Sequence, residues 1–439
     1  VSEPHIYHEV LTSIAGRTAT FRVIAVPHLL KVWEFAVWSA IFHHLRGHGI
    51  GVKPSVHIPA NRAGVADVIK TVFEYLSDVF RDDDEKTIGN SIDAVIDDAQ
   101  LAEQIQRVKQ YARTNPILFA LDTLEKYDIN DAPLMTATAA LIQFASTFNL
   151  RHASEGVHLK VFMSGEVFPH LKESVLLNPL KHVRDPLYLL WRPKELLRLI
   201  CWRFWRFLTV ADPLRYADLS NMDWRKHSQV LDKLWIPFFG ESLDNNKGLP
   251  ERTFVYIMRH TQMRPRQLIT ICNEIAEQAV LLSGFPHFPA DCIRDGLKIA
   301  EGELAAEVLN SYELTYPNVA NIITALMGMP KVFSGSELDK RARRTKSAWL
   351  KEEYSLEAFK RLVAEIGVVG RVTRRDDKAG YADAEFEYSA TDRITITSED
   401  ECAIHPMFYK RLNVDVDLAL RVMPFSVERG EIADLQGSW

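Results

Sequence analysis

The sequence predicts a mixed α/β protein of two or three domains whose first domain is built on a parallel sheet. Three observations lead there. Over the first 190 positions, short apolar runs alternate with helical patterns, the arrangement of a parallel sheet with helices on both faces. After Pro193 the strand runs stop and helical periodicity dominates to about residue 335. Near residue 350 short β runs return around a polar tip. A chain of 439 residues also exceeds what one core usually organises.

The elements follow in order. Residues 4–15 read as a helix ending at Gly16, and Phe21 to Val26 as a β run stopped by Pro27, which has no N–H to give a ladder. Leu30, Trp33, Val37 and Ile41 recur at helical spacing before Gly47 and Gly49. The run Arg81 to Lys86 is a solvated charged loop, and residues 97–113 form a helix. Ile117 to Leu121 is the second β run, ending in Asp122, and Ala132 to Phe148 is a helix rich in small and apolar residues. Leu159 to Ser164 and Leu187 to Trp191 are the third and fourth β runs. The helical region is broken near 212–213, 245–248 and 284–289. Finally, a helix over 356–366 precedes β runs at 368–373 and 384–388, with residues 374–380 as a polar hairpin tip.

Composition narrows the class. A hydrophobic share of 47% with 25% charged residues is that of a globular protein. A net charge of −6 argues against a surface coated for nucleic acid, although it leaves room for a local basic patch. Cys201, Cys272, Cys292 and Cys402 match no metal or redox spacing, which points to free thiols in a reducing, cytoplasmic setting. No run reaches the ~18 apolar residues that a bilayer span needs, so no membrane is expected. The most apolar stretch, Leu187 to Val210, is interrupted by Arg192, Lys194, Glu195, Arg198, Arg203 and Arg206. His44 and His48 stand a helical turn apart but have no third ligand in sequence, so no metal site is read there.

Four features could carry chemistry. A buried strand ending in Asp122, with Glu125 three residues on, places carboxylates where open α/β sheets bind ligands. One could hold a Mg²⁺ shell and the other could activate water, or the segment is an ordinary polar turn. Ser164 ends the next run and reads either as a phosphate-sensing hydroxyl or as a Ser-Gly turn. In Met263-Arg264-Pro265-Arg266, Pro265 suits a first helical turn, so Arg264 precedes the helix and Arg266 opens it. Arginine is unfavourable there, which implies an anionic partner, either a phosphate or a carboxylate. Lys340, Arg341, Arg343 and Arg344, with Arg374 and Arg375 at the hairpin, form either a phosphate-binding face or a solvated surface. Arg184, just before the fourth run, is a further candidate.

In this order these segments resemble the STAND and AAA-like P-loop ATPases of bacteria, in particular the group similar to origin-recognition and cell-division-control ATPases. PILFALDTLE (116–125) is similar to a Walker B strand, and LKVFMSGEVF (159–168) to a sensor-1 strand. LYLLWRPKELLRLICWRF (187–204) resembles a last core strand running into a lid helix. FVYIMRHTQMRPRQLITICNEIA (254–276) resembles a sensor-2 helix, and IGVVGRV, AEFEY and AIHPMFYKRL resemble a winged-helix end. The resemblance implies a P-loop NTPase core over 1–192, a helical lid over 193–335 and a winged-helix-like domain over 336–439. It implies ATP and Mg²⁺ as ligands, with Asp122 holding the metal through water and Glu125 as the catalytic acid residue. Ser164 is then sensor 1, Arg266 or Arg264 sensor 2, and Arg184 a residue reaching a neighbour's nucleotide.

Two departures stand out. Lys126 occupies the position after Glu125 where the family usually has a second acid, and no GxxxxGKS or GxxxxGKT occurs anywhere. Because the sequence opens on Val1 rather than methionine, the phosphate loop is expected just upstream; the alternative is a scaffold that no longer turns over ATP. The expected function is an ATP-binding and hydrolysing switch. Family members imply a homo-oligomer with a partner effector protein in prokaryotic antiviral defence. The rival is a DNA-binding initiator or loader.

Overall fold

The computed structural model describes residues 22–51, 71, 99–124, 132–174, 187–245, 248–349, 354–389, 393–414 and 420–425. The chain divides into two compact units, Val1–Leu187 and Tyr188–Trp439. Among the described residues the secondary structure is mixed α/β, with a two-stranded parallel sheet, a two-stranded antiparallel sheet and a five-stranded mixed sheet.

In the first unit, α1 (Arg22–Gly47) and α2 (Ala99–Ala112) precede β1 (Ile117–Leu124). Then come α3 (Ala132–His152), β2 (Val157–Met163) and α4 (Phe168–Ser174). β1 and β2 pair in parallel from Ile117↔Val157 to Leu124↔Met163, with a shift in register between Asp122 and Leu124. Alternation along the strands buries Phe119, Leu121, Val157 and Leu159 against α1 and α3, and leaves Leu118, Asp122, Lys160 and Phe162 exposed. Helices on both faces were expected; among the described residues only one face is buried. Trp38, Phe42 and Phe148 sit at the centre of this core, and the Trp38 and Phe148 ring centroids are 5.3 Å apart.

Two sequence expectations give way here. The run through Val26 is helical from Arg22 onward, not a strand. Its β-branched residues favour a strand locally, but they continue into an α1 that buries Val32, Trp33 and every residue from Phe35 to Phe42, and burial outweighs propensity. Residues 187–191 form no strand, and all five apolar side chains are exposed. The period of a short apolar run specifies extended backbone but not a partner to pair with. The helix read over 4–15 and the charged loop 81–86 lie outside the described residues.

The second unit begins with α5 (Pro193–Ala211), whose Pro193 occupies the first turn while Glu195 accepts from the Arg192 backbone N–H at 3.0 Å. A helical stretch over 227–239 and a small hairpin of β3 (Ser242–Asp244) with β4 (Pro250–Arg252) lead into α6 (Thr253–Met258). The long helices α7 (Pro265–Leu281) and α8 (Ala290–Ser311) follow. Gly296 lets them touch: a Cβ there would stand 2.6 Å from the Ile275 backbone nitrogen. Next come β5 (Val332–Ser334), α9 (Gly335–Ala342), α10 (Leu356–Glu365), β6 (Val369–Asp376) and β7 (Tyr381–Glu385). β8 (Glu401–Ile404) and β9 (Arg421–Met423) complete a five-stranded sheet in the order β5-β8-β6-β7-β9. One hydrophobic cluster runs from Leu196 to Phe425, so the helices of 193–335 and the C-terminal strands share a core.

Candidate functional site

The predicted residues fall on both units. In the first, parallel pairing brings the carboxyl ends of β1 and β2 side by side, the edge where ligands bind in open α/β sheets. Asp122 is exposed there, and the register shift after it is of the kind that re-aims side chains beside functional sites. Ser164 follows the end of β2 and is half-buried. Its hydroxyl donates to Glu166 Oε2 at 2.5 Å, and the Glu166 backbone N–H returns to Ser164 Oγ at 3.4 Å. Sequence reading missed Glu166, whose only signal was a carboxylate two residues past a strand end. Glu125 and Arg184 lie outside the described residues.

In the second unit, Arg264 is the N-cap residue of α7 and Pro265 opens the helix, as the sequence predicts. Arg266 projects into solvent with its side chain 83% exposed, 3.7 Å from Glu307, a contact worth little and easily exchanged for another anion. The basic cluster is largely paired within the unit. Lys340 meets Glu337 at 2.8 Å, and Arg341 donates to the Ala325 and Met327 carbonyls. Arg375 pairs with Asp377 and Glu401, while Arg374 lies 5.9 Å from the Tyr381 ring. Arg343 and Arg344 are exposed.

Behind α7 lies a buried polar cluster that the sequence did not announce. Arg259 and Glu251 are both buried and meet at 3.2 Å, with Asn245 Nδ2 donating to the other Glu251 oxygen and the guanidinium 5.1 Å from the Tyr256 ring. Next to it His260 Nδ1 donates to the Tyr256 carbonyl at 2.8 Å, which leaves Nε2 as an acceptor 3.2 Å from Glu301. Burial raises the Glu301 carboxyl to about 7, against the pull of Arg259 and Lys410, and burial with Arg259 beside it holds His260 well below 6.5. Below about 7 the pair therefore holds one proton on Glu301, donated to a neutral imidazole.

This pair has a pH signature. Between the ordinary carboxyl value of 4.5 and the ordinary imidazole value of 6.5, the unfolded chain carries its proton on His260, while the folded chain carries it on Glu301. Proton counts match, so the pair adds no slope to stability there. Glu301→Gln removes one half. Below 6.5 the unfolded state then binds a proton that the folded state does not, and stability falls as pH drops. Urea unfolding of variant and wild type on either side of 6.5 tests this; equal acid sensitivity in the two proteins would contradict it.

Among the described residues no group of three or more His, Cys, Asp or Glu side chains gathers as a metal site, and no helix is long and apolar enough to cross a membrane. No family model, no curated protein and no solved structure matches the chain.

Proposed function

We propose that this chain is an ATP-hydrolysing switch of P-loop type. In the first unit the strand ends of β1 and β2 would supply the metal and water chemistry, and in the second unit the start of α7 would supply an arginine for phosphate. The observation that carries the reading is the parallel β1–β2 pair, which sets Asp122 and Ser164 at one carboxyl edge. An exposed carboxylate suits Mg²⁺, which takes few protein oxygens and keeps several waters. Glu125, three residues on, would orient the attacking water. Arg266, exposed and weakly paired, is free to exchange Glu307 for a phosphate. The sequence carries no phosphate loop, so the reading assigns it the metal, water and sensing sides only. The test is Mg²⁺-dependent ATP binding and hydrolysis by the protein expressed from its full reading frame. Absence of both ends the reading in favour of a scaffold.

The order β5-α9-α10-β6-β7, with a polar tip over 377–380, supports the winged-helix-like reading of the C-terminal part. Its helix α10 is poorly suited to read DNA. Phe359 and Leu362 to Glu365 are buried, Lys360 pairs with Asp339 at 2.7 Å, and Arg361 pairs with Glu365 and Glu387. A DNA-reading helix needs exposed donors for base edges. The arrangement favours a readout through protein contacts, in keeping with an oligomer or effector partner, and the DNA-binding initiator takes second place. Salt-dependent binding to duplex DNA at low ionic strength would reverse that order.

A further inference from the structure

The loop that delivers Arg264 is tied, residue by residue, to strands and turns more than a hundred positions later. Gln262 is buried, and its Nε2 donates to the Ile366 carbonyl at 2.8 Å. Its own backbone N–H donates to Gln267 Oε1 in the first turn of α7 at 2.7 Å. The approach is close: Gly367 has φ +75°, and a Cβ there would lie 2.7 Å from Tyr388 Cδ1 and 2.8 Å from Gln262 Nε2. His405 is fully buried and accepts the Met407 N–H on Nδ1 at 3.2 Å. Nε2 therefore carries the proton and stands 2.8 Å from the Tyr388 hydroxyl. Thr261 acts on the same imidazole and the charge of Arg264 on Tyr388, and Tyr388 and Gln262 stand together against Gly367. Between these anchors Met263 is held at φ +56°, a conformation that costs a non-glycine residue about 1 kcal/mol and persists only where its surroundings impose it.

We infer that Gln262, Tyr388 and His405 are positioning residues, through which the C-terminal strands hold Met263 in its left-handed conformation and so set the direction of Arg264. The inference rests on the reading of the start of α7 as phosphate-sensing, with Arg264 the alternate to Arg266, for its purpose, but not for its geometry. Two anchors act on the loop. The Gln262 amide fixes it against the turn that ends α10, and the Tyr388–His405 pair fixes it against the hairpin and β8. Releasing either lets Met263 relax to an ordinary conformation and swings Arg264 off the axis of α7. Coupling of this kind is reciprocal, so an anion held by Arg264 must in turn order residues 385–389 and 403–407.

The experiment is amide hydrogen exchange on the full chain, comparing wild type with Tyr388→Phe and Gln262→Leu. Tyr388→Phe removes one hydroxyl and keeps the ring, so it remains informative if Gln262→Leu folds poorly. The expected result is exchange at least about tenfold faster over 262–268, with α8 unchanged, because opening is local where anchors are lost. Unchanged exchange over 262–268, or an equal rise throughout the unit, overturns the inference. A second arm adds Mg-ATP. Protection over 385–389 in wild type that is lost in Tyr388→Phe supports the coupling; the same protection in both overturns it. If wild type binds no ATP, the functional reading fails, while the first arm still decides whether the anchors hold the loop.

Discussion

Arg259→Met is expected to destabilise the unit spanning Tyr188–Trp439 by about 3–5 kcal/mol, the range for removing one partner of a buried ion pair. The size follows from what is left behind. Glu251 is 3% exposed, and among the described residues its carboxylate without the guanidinium keeps the Asn245 amide as its one donor. The arginine's aliphatic stem is matched by methionine, so little packing is lost and the cost is electrostatic. That separates the variant from a cavity-forming substitution of similar size. The partner replacement makes the point sharper: adding Glu251→Gln to Arg259→Met removes the stranded charge and still offers Asn245 an acceptor. The double variant should recover most of the loss, since a buried pair is worth little more than a neutral replacement. Chemical denaturation of the two single variants and the double gives the coupling directly. An Arg259→Met variant as stable as wild type would mean that the Arg259–Glu251 contact does not support the fold.

Local patterns of residues were the legible part of this chain. The apolar run ending in Asp122, the helix over 132–148, Pro265 in a first helical turn and the polar tip read over 374–380, of which β6 takes 374–376, are each encoded within about ten positions, by period or by turn chemistry. What was not legible depends on partners distant in sequence. Val23 to Val26 read as a strand because of their branched side chains, and belong to a helix because of what α1 packs against. Residues 187–191 have the composition of a buried strand but stand exposed. At the candidate site, the strand-end position of Asp122 and the helix-start position of Arg264 could be read directly. The links from Gln262 to Ile366, from Tyr388 to His405 and from His260 to Glu301 could not. Each joins side chains whose sequence neighbours say nothing about the contact, and a lone histidine or glutamine carries no signal of burial.

Asp122→Asn and Glu125→Gln are expected to separate two roles that the strand end of β1 would play. Asp122 is exposed, so its amide variant should fold and melt as wild type does. If Asp122 holds the Mg²⁺ shell, the variant loses about 10–100-fold in Mg²⁺-dependent ATP affinity, the usual cost of removing an outer-shell partner. Hydrolysis falls with it, and higher Mg²⁺ restores part of both. Glu125→Gln should instead bind Mg-ATP normally and lose about 10²–10⁴-fold in turnover, because an amide can no longer take a proton from the attacking water. Binding by equilibrium titration and turnover by phosphate release, measured on the same preparations, distinguish the two patterns. Lys126 makes the contrast a real test. The position after Glu125, where the resembling family usually has a second acid, holds a cation here, leaving no adjacent carboxylate to substitute for Glu125. If wild type turns over ATP and Glu125→Gln does so equally well, water activation belongs elsewhere, and Glu166, hydrogen-bonded to Ser164 at the neighbouring strand end, is the next residue to replace.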